Sequence, residues 1–494
     1  MEPWHGTEHC TAIGPVSVRP APDIGMHMRL EPPSAPPARG RQHPDIVDYA
    51  ERPLEGDGGF KPRILLLTSG LGSGHVRAAQ GVAAALEGCA EARILDLWSL
   101  VNPGAAVVIH ETYLRLVQEH PDLYERLYRL DERTWRQILQ SKSGPPAQVL
   151  EVLELISRIA AQAGASAPRG GRYASDRMLL SLLSAALPYD RGSLGGNGVL
   201  ARLVVMKWTW LRLIRRLAPA VREFRPDAII CTQMIPAAMV SFLKKRGKIV
   251  APLIGVMTDF GIHDFWKQNG IARYCVPHES IAAHVNRRNV VATGVPLMPH
   301  FAVPCSQQEA RRELGLPQDA SVALVLGGGL GLSVDTVAQA LLSLASVPHL
   351  LVLPGKNVSA RMALAAIAAR HPERLRVYDW TERMDLFMRA ADLVVGKPGG
   401  VTVAEALACG RPLLATRSLG GQEGFNVQFL ERNGVGGLVS DRDLPERVMQ
   451  LLEDRGALVQ MQRRAWLLGR RDGAAQVAAM AIQLATARVQ RAAR

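Results

Sequence analysis

A chain of 494 residues is too long for a single core and requires at least two domains. Its 48% hydrophobic and 21% charged content is that of an ordinary globular protein and excludes a largely disordered or coiled-coil chain. A formal net charge of +13 points to an acidic substrate, an anionic lipid surface or nucleic acid, or to a plain arginine bias, since arginine is scattered along the whole chain.

Residues 1 to 61, with "LEPPSAPPARGRQHPD", are rich in Pro, Gly, Arg and acidic residues. They hold too little apolar surface to offset ordering entropy and are predicted to be a disordered tail. Order begins at "KPRILLLTS", a β-rich run followed by a glycine turn and an alanine-rich helical pattern. "ARILDLWSL" reads as the second strand. A long helical tract follows to about Arg222, broken by loop-like "AGASAPRGGRYASD" and "PYDRGSLGGNG". Strands return with "DAIICTQ", "IVAPLIGVMTD", "ARYCVP" and "NVVATGVP", and the prolines of "TGVPLMPHF" read as a linker. A second unit then runs through "SVALVLGGG", "HLLVLPG", "LRVYDW", "DLVVGKPGG" and "RPLLATRS", each followed by a helical pattern. Strand–helix alternation implies parallel sheets with helices on both faces, hence α/β. Two such units in series predict two Rossmann-like domains, 62–298 and 299–494, facing across a cleft with ligand at the carboxyl ends of the strands. A basic helix is expected to close the second.

Six widely spaced cysteines without a CxxC argue against a zinc site or a disulfide framework and fit a reducing cytoplasm. No apolar run reaches the roughly 18–20 residues of a membrane span. The N-terminal residues lack the apolar core of a signal peptide.

The first glycine turn, Gly70-Leu-Gly72-Ser-Gly74-His75, has two glycines of a dinucleotide fingerprint and a histidine in place of the third. Asp96 stands where a ribose-binding acid belongs, about 20 residues on. A side chain at the third position obstructs the helix–strand packing that glycine permits. The same turn serves another chemistry. Glycines let backbone amides approach an anion or a reacting oxygen, and His75 at a helix start points into the cleft as a general base near neutral pH. The plain alternative is a histidine that only caps the turn.

The second half carries the more specific pattern. In "DLVVGKPGGVTVAEALACGRPLLATRSLGGQEGFN", a strand ends at Lys397-Pro-Gly399-Gly400 and a helix follows from about Thr402. Bare amides with a helix dipole behind them suit a diphosphate, and Thr402 can cap the helix and donate to phosphate. Glu405, one turn in, is placed to accept from ribose hydroxyls. Gln422, Glu423 and Asn426 offer polar groups to a sugar.

These motifs, with "SGLGSGHVRAAQGVAAAL", "RPDAIICTQ", "VMTDFGIHDFW", "VVATGVPLMPHF", "LVLGGGLGL" and "LPGKN", resemble the monogalactosyldiacylglycerol synthase and processive diacylglycerol glycosyltransferase family, over about residues 62–465. That resemblance implies a GT-B fold with an N-terminal acceptor domain and a C-terminal domain for a UDP-sugar, with no metal and no cofactor. It implies donor contacts at Gly328, Gly329, Gly331, Lys356, Asn357, Lys397, Gly399, Gly400, Thr402, Glu405, Gln422, Glu423 and Asn426. His75 becomes the candidate base, with Asp259 of "VMTDFGIHDFW" orienting it or acting in its place. Gly72 and Gly74 clear space for an acceptor headgroup, beside His263 and a Trp266 that stacks on a sugar or meets lipid. UDP-galactose or UDP-glucose as donor, diacylglycerol as acceptor and inversion at the anomeric carbon are the implied chemistry. Another hydrophobic acceptor, or nucleotide binding without catalysis, are the alternatives. "LARLVVMKWTWLRLIRRLAPAVREFR" places Trp208, Trp210, Arg212, Arg215 and Arg216 on one basic amphipathic pattern, that of a helix lying in an anionic lipid interface. A core helix with solvated arginines has the same pattern. The expected location is therefore cytoplasmic, peripheral on the inner face of the cell membrane. With no zinc module or aromatic-interleaved basic patch on strands, no nucleic-acid partner is expected.

Overall fold

The structure is a computed structural model that describes residues 61–70, 72–100, 213–263, 266–285, 288–328, 334–344, 349–355, 357–416 and 422–492. The expected tail lies outside these residues, as do Trp208, Trp210, Arg212, Gly329, Gly331 and Lys356.

Strands β1 (Arg63–Thr68), β2 (Glu91–Asp96), β3 (Ala228–Cys231), β4 (Leu253–Val256), β5 (Ile271–Val276) and β6 (Val290–Ala292) form one sheet in the order β2-β1-β3-β4-β5-β6. Strands β7 (Val322–Leu326), β8 (His349–Leu353), β9 (Leu375–Val377), β10 (Leu393–Gly396), β11 (Leu413–Ala415) and β12 (Gly436–Leu438) form a second, ordered β12-β11-β10-β7-β8-β9. Every neighbouring pair is parallel. The strands "ILLL", "AIIC" and "VALVL" are buried along their length, as continuous apolar runs covered on both faces must be. The strand order of each sheet reverses once, between β1 and β3 and between β7 and β10, and those switch points are where parallel sheets open a crevice.

The helices, in chain order, are α1 (Ser73–Ala85), α2 (213–224), α3 (Met234–Lys245), α4 (Glu279–Val285), α5 (Gln307–Glu313), α6 (Val334–Leu342), α7 (Val358–Ala368), α8 (Met384–Ala390), α9 (Gly400–Ala408), α10 (Gln422–Arg432), α11 (Leu444–Glu453), α12 (Arg455–Leu468) and α13 (Gly473–Ala492). The linker after β6 is held by the second domain. Val295, Leu297 and Phe301 enter its core, and the buried Arg389 guanidinium donates to the carbonyls of Phe301, Val303 and Cys305.

Three sequence expectations change here. The last helix, α13, was expected within the domain 299–494, yet it returns to the first sheet. Its Val477, Ala478, Ala481 and Ala485 pack with Ile64, Leu66, Ile230 and Ile254, because an alanine face lets a helix sit close to a sheet and to the alanines of α1. The described part of the basic amphipathic segment is a core helix: Leu213, Ile214, Leu217, Val221 and Phe224 of α2 bury its apolar face in the first domain. Arg215 stays exposed, and Arg216 donates to the Leu100 carbonyl at 2.8 Å. Strand β12, in "GVGGL", has too few side chains to announce itself and was not expected.

Candidate active site

On the first-domain side, β1 passes through a turn into α1. Gly72 ahead of the helix has φ 102°, a left-handed conformation that suits glycine. Gly70 lies against the Asp96 carboxylate, leaving no room for a Cβ. Asp96 in turn accepts from the Trp98 amide at 2.9 Å, and the Trp98 indole donates to the Ser69 hydroxyl at 2.8 Å. The acid that resembled a ribose ligand therefore braces the turn.

His75 lies in the first turn of α1, half-buried. The Thr232 hydroxyl, just past β3, donates to the His75 carbonyl at 2.9 Å and fixes the backbone. The Thr258 hydroxyl, just past β4, meets Nδ1 of the ring at 3.1 Å. Burial pushes the imidazole below the usual histidine value, while the Asp259 carboxylate and a hydrogen bond to the Thr232 backbone pull the other way. The net direction is downward, so the ring is neutral and able to accept a proton near pH 7.

On the facing side, β10 ends at Gly396 and α9 starts at Gly400 with Gly399 as its N-cap; no side chain caps it. Thr402 is the third residue of the helix and lines the cleft, so it is not the cap that was expected. Lys397 Nζ pairs with the buried Glu423 at 2.7 Å, which holds the ammonium beside this helix start. Glu405 also faces the cleft, and burial pushes its carboxyl up to about 7, opposed by the Arg77 guanidinium and aided by Asp385. Arg77 belongs to α1 of the first domain and reaches across, 5.6 Å above the Trp380 ring and 3.9 Å from Glu382.

The two sides touch at the floor of the cleft. Gly400 lies against the Thr258 carbonyl, where any Cβ would collide, and Gly74 packs on Val401. Asn426 is fully buried: its Nδ2 donates to Asp259 Oδ1 (3.0 Å) and to the Pro398 carbonyl (2.9 Å), and its Oδ1 accepts from the Phe260 amide (2.7 Å).

The cleft so formed encloses about 1190 Å³, its open mouth included. It brings together Gly72, Gly74, His75, Thr258 and Asp259 with Gly328, Lys397, Gly399, Gly400, Thr402, Glu405, Gln422 and Glu423. Four expected residues stand elsewhere. Asn426 lies beneath the wall, its amide hydrogens already used. Asn357 caps α7, its Oδ1 accepting from the Ala360 amide at 3.0 Å. Trp266 is 7% exposed in the first core, its ring against Gly255, and offers no face to sugar or lipid. His263 is in the same loop, outside the lining. Sequence reasoning missed Arg77, Trp380, Thr381 and Met384. Arg77 was findable, two residues after His75 on the same helix start, but "VYDW" read as strand although β9 ends at Val377 and leaves Trp380 in a loop. Among the described residues, no group of three or more His, Cys, Asp or Glu side chains is placed to hold a metal.

Two parallel-sheet domains that meet at their switch points over one cleft define a GT-B glycosyltransferase fold. The solved structure of the glycotransferase of kitacinnamycin shares it, with a TM-score of 0.50 at 15% identity over 86% of this chain and 99% of that one. Residues 201–297 match the monogalactosyldiacylglycerol (MGDG) synthase family and residues 322–476 the glycosyltransferase family 28 C-terminal domain. The processive diacylglycerol beta-glucosyltransferase of Bacillus pumilus is 31% identical over 257 residues, 50% of this chain and 66% of that protein. The protein of the same name from Bacillus subtilis is 30% identical over the same shares. The matched region thus takes in just under two thirds of these relatives. The first domain thus carries a segment of the monogalactosyldiacylglycerol synthase family and the second a glycosyltransferase family 28 C-terminal domain.

Proposed function

We propose that this protein moves a hexose from a UDP-sugar, UDP-glucose or UDP-galactose, to the free hydroxyl of diacylglycerol at an anionic membrane surface. The observation that carries this reading is that His75 and the start of α9 line one cleft from opposite sides. The uncapped helix start at Gly399–Gly400, with Lys397 beside it, suits the diphosphate. Glu405 suits the ribose, and Gln422 and Glu423 suit the transferred sugar. The acceptor hydroxyl attacks the anomeric carbon opposite the diphosphate and its proton passes to His75. The bond from that carbon to the UDP oxygen breaks, and the charge developing on UDP is met by backbone amides and Lys397. In-line attack inverts the anomeric centre, so an α-linked donor gives a β-glycoside. No metal or cofactor enters this scheme.

The names of the relatives support diacylglycerol as the acceptor and glucose as the sugar. No helix among the described residues is long and apolar enough to cross a membrane, and peripheral attachment at the cytoplasmic face fits an acceptor held in a bilayer. The test is incubation with UDP-glucose or UDP-galactose and diacylglycerol in anionic vesicles. Glycolipid is expected, and His75→Ala is expected to cut turnover by about 10²–10⁴-fold while UDP still binds. Absence of glycolipid with every UDP-hexose would overturn the reading, and full turnover by His75→Ala would remove His75 as the base.

A further inference from the structure

Asn426 is positioned to do something other than touch sugar. A carboxamide has two hydrogens to donate, and both are used beneath the cleft, one on Asp259 Oδ1 and one on the Pro398 carbonyl. Its oxygen accepts from the Phe260 amide. Asp259 and Phe260 belong to the first domain, Asn426 and Pro398 to the second, so the amide ties the two together. The rest of the 258–260 loop is held by the second domain as well. The Thr258 carbonyl sits on Gly400, and the Phe260 ring packs 4.3 Å from Phe429 within the second-domain core.

That same loop supplies the groups around His75. Thr258 meets the ring at Nδ1, and Asp259 is the charged side chain that acts on it among the described residues; Thr232 and Thr258 are neutral. Asp259 Oδ2 is 3.4 Å from the Thr258 hydroxyl and its Oδ1 is fixed by Asn426. We propose that Asn426 is a positioning residue that holds the Asp259 carboxylate toward His75 while the two domains are docked, so that docking completes the general base. The importance of this for turnover rests on the transferase reading above; the geometry does not. A domain that binds the donor thereby also sets the proton acceptor on the opposite wall. Separation of the domains leaves Asp259 without its amide partner, and the carboxylate turns to water.

The test reads His75 directly, without the reaction. Histidine-labelled full-length protein, with His75 assigned by a His75→Gln variant, is titrated by NMR as wild type and as Asn426→Ala. A carboxylate nearby favours the charged imidazole, so releasing Asp259 is expected to lower the His75 midpoint by about half a pH unit or more. Calorimetry is expected to find the UDP dissociation constant within about twofold of wild type, with kcat reduced about tenfold or more. Gly400→Ala is the second variant. Alanine suits the first turn of α9 better than glycine, so the second domain keeps its fold, but the new Cβ pushes the 258–260 loop away. It is expected to lower the His75 midpoint too, and it decides the matter if Asn426→Ala does not fold. An unmoved His75 midpoint in a folded variant overturns the proposal. So does a loss of affinity for UDP-sugar but not for UDP at unchanged His75 titration, which would make Asn426 a sugar contact. A wild-type protein that makes no glycolipid would remove the transferase reading and leave the titration result standing.

Discussion

Glu405 and His75 face one cleft with proton affinities displaced in opposite directions, and both displacements come from burial. For His75, burial lowers the affinity, so the neutral base persists to lower pH than in a free histidine. The acidic limb of kcat/KM is therefore expected to have its midpoint below 6.5; a limb above it would exclude His75 as the group that must be neutral. For Glu405, the carboxyl is raised from 4.5 to about 7. In the unfolded chain it is ionised above about pH 4.5, where the folded protein still holds the proton. The unfolded state thus binds fewer protons across that window, and stability falls as pH rises through it. Glu405→Gln removes the penalty. It is expected to stabilise the protein by about 1–3 kcal/mol at pH 8 and less at pH 5, as read by urea unfolding at both pH values. If Glu405 holds the ribose, the same variant binds UDP more weakly, the common trade between a stable site and a working one.

At the scale of elements, α1 shows why an alanine-rich helix follows the glycine turn. Ala79 and Val82 lie on the first sheet, and Gly81 touches the linker so closely that a Cβ would stand 2.6 Å from the Leu297 carbonyl. Gly81→Ala gains about 1 kcal/mol of helix propensity, yet a backbone clash of this kind costs about 1–3 kcal/mol. A net fall in melting temperature is expected, and a rise would show that the linker gives way. The parallel strands were legible because four to six consecutive apolar residues, bounded by turn residues, have few other uses. The facing glycine turns were legible because glycine at a strand's end has a backbone cause. What the residues did not disclose is partnership across long separations. Trp266 looked like a surface aromatic because its loop is polar, yet Gly255 opens a slot for its ring. Asn426 looked like a sugar ligand because its motif is polar, yet its three partners lie 28 to 167 residues away. The apolar stripe of α2 is the same whether lipid or a protein core covers it, and for 213–224 the core does.

For the molecule as a whole, the decisive feature is that the chain crosses between domains twice. It leaves the first through the linker near Val295–Phe301 and comes back near Gly469–Gly473. At the return, Gly469 lies on the Leu407 carbonyl and Gly473 on the carbonyls of Thr293 and Val295, so the two crossings pack together. Helix α13 then completes the first core, and Arg488 stands 3.6 Å from Asp227, whose other oxygen accepts from the Arg63 amide at 2.8 Å. The first domain is thus finished by a helix that follows the second domain in the chain, and its stability is tied to the second. The second domain has cores of its own made from α5 to α12. Val477 is fully buried against the first sheet, so Val477→Asp places a charge there with no partner, at a cost of about 3–5 kcal/mol. Wild-type protein is expected to melt in one calorimetric transition, because the α13 and Asn426 contacts couple the domains. Val477→Asp is expected to split it, the lower transition belonging to the first domain and the upper staying near the wild-type value. Limited proteolysis between the two temperatures should then leave a fragment that begins near residue 299. A single transition, shifted down as a whole, would mean that the second domain does not stand without the first, and that the returning helix supports both.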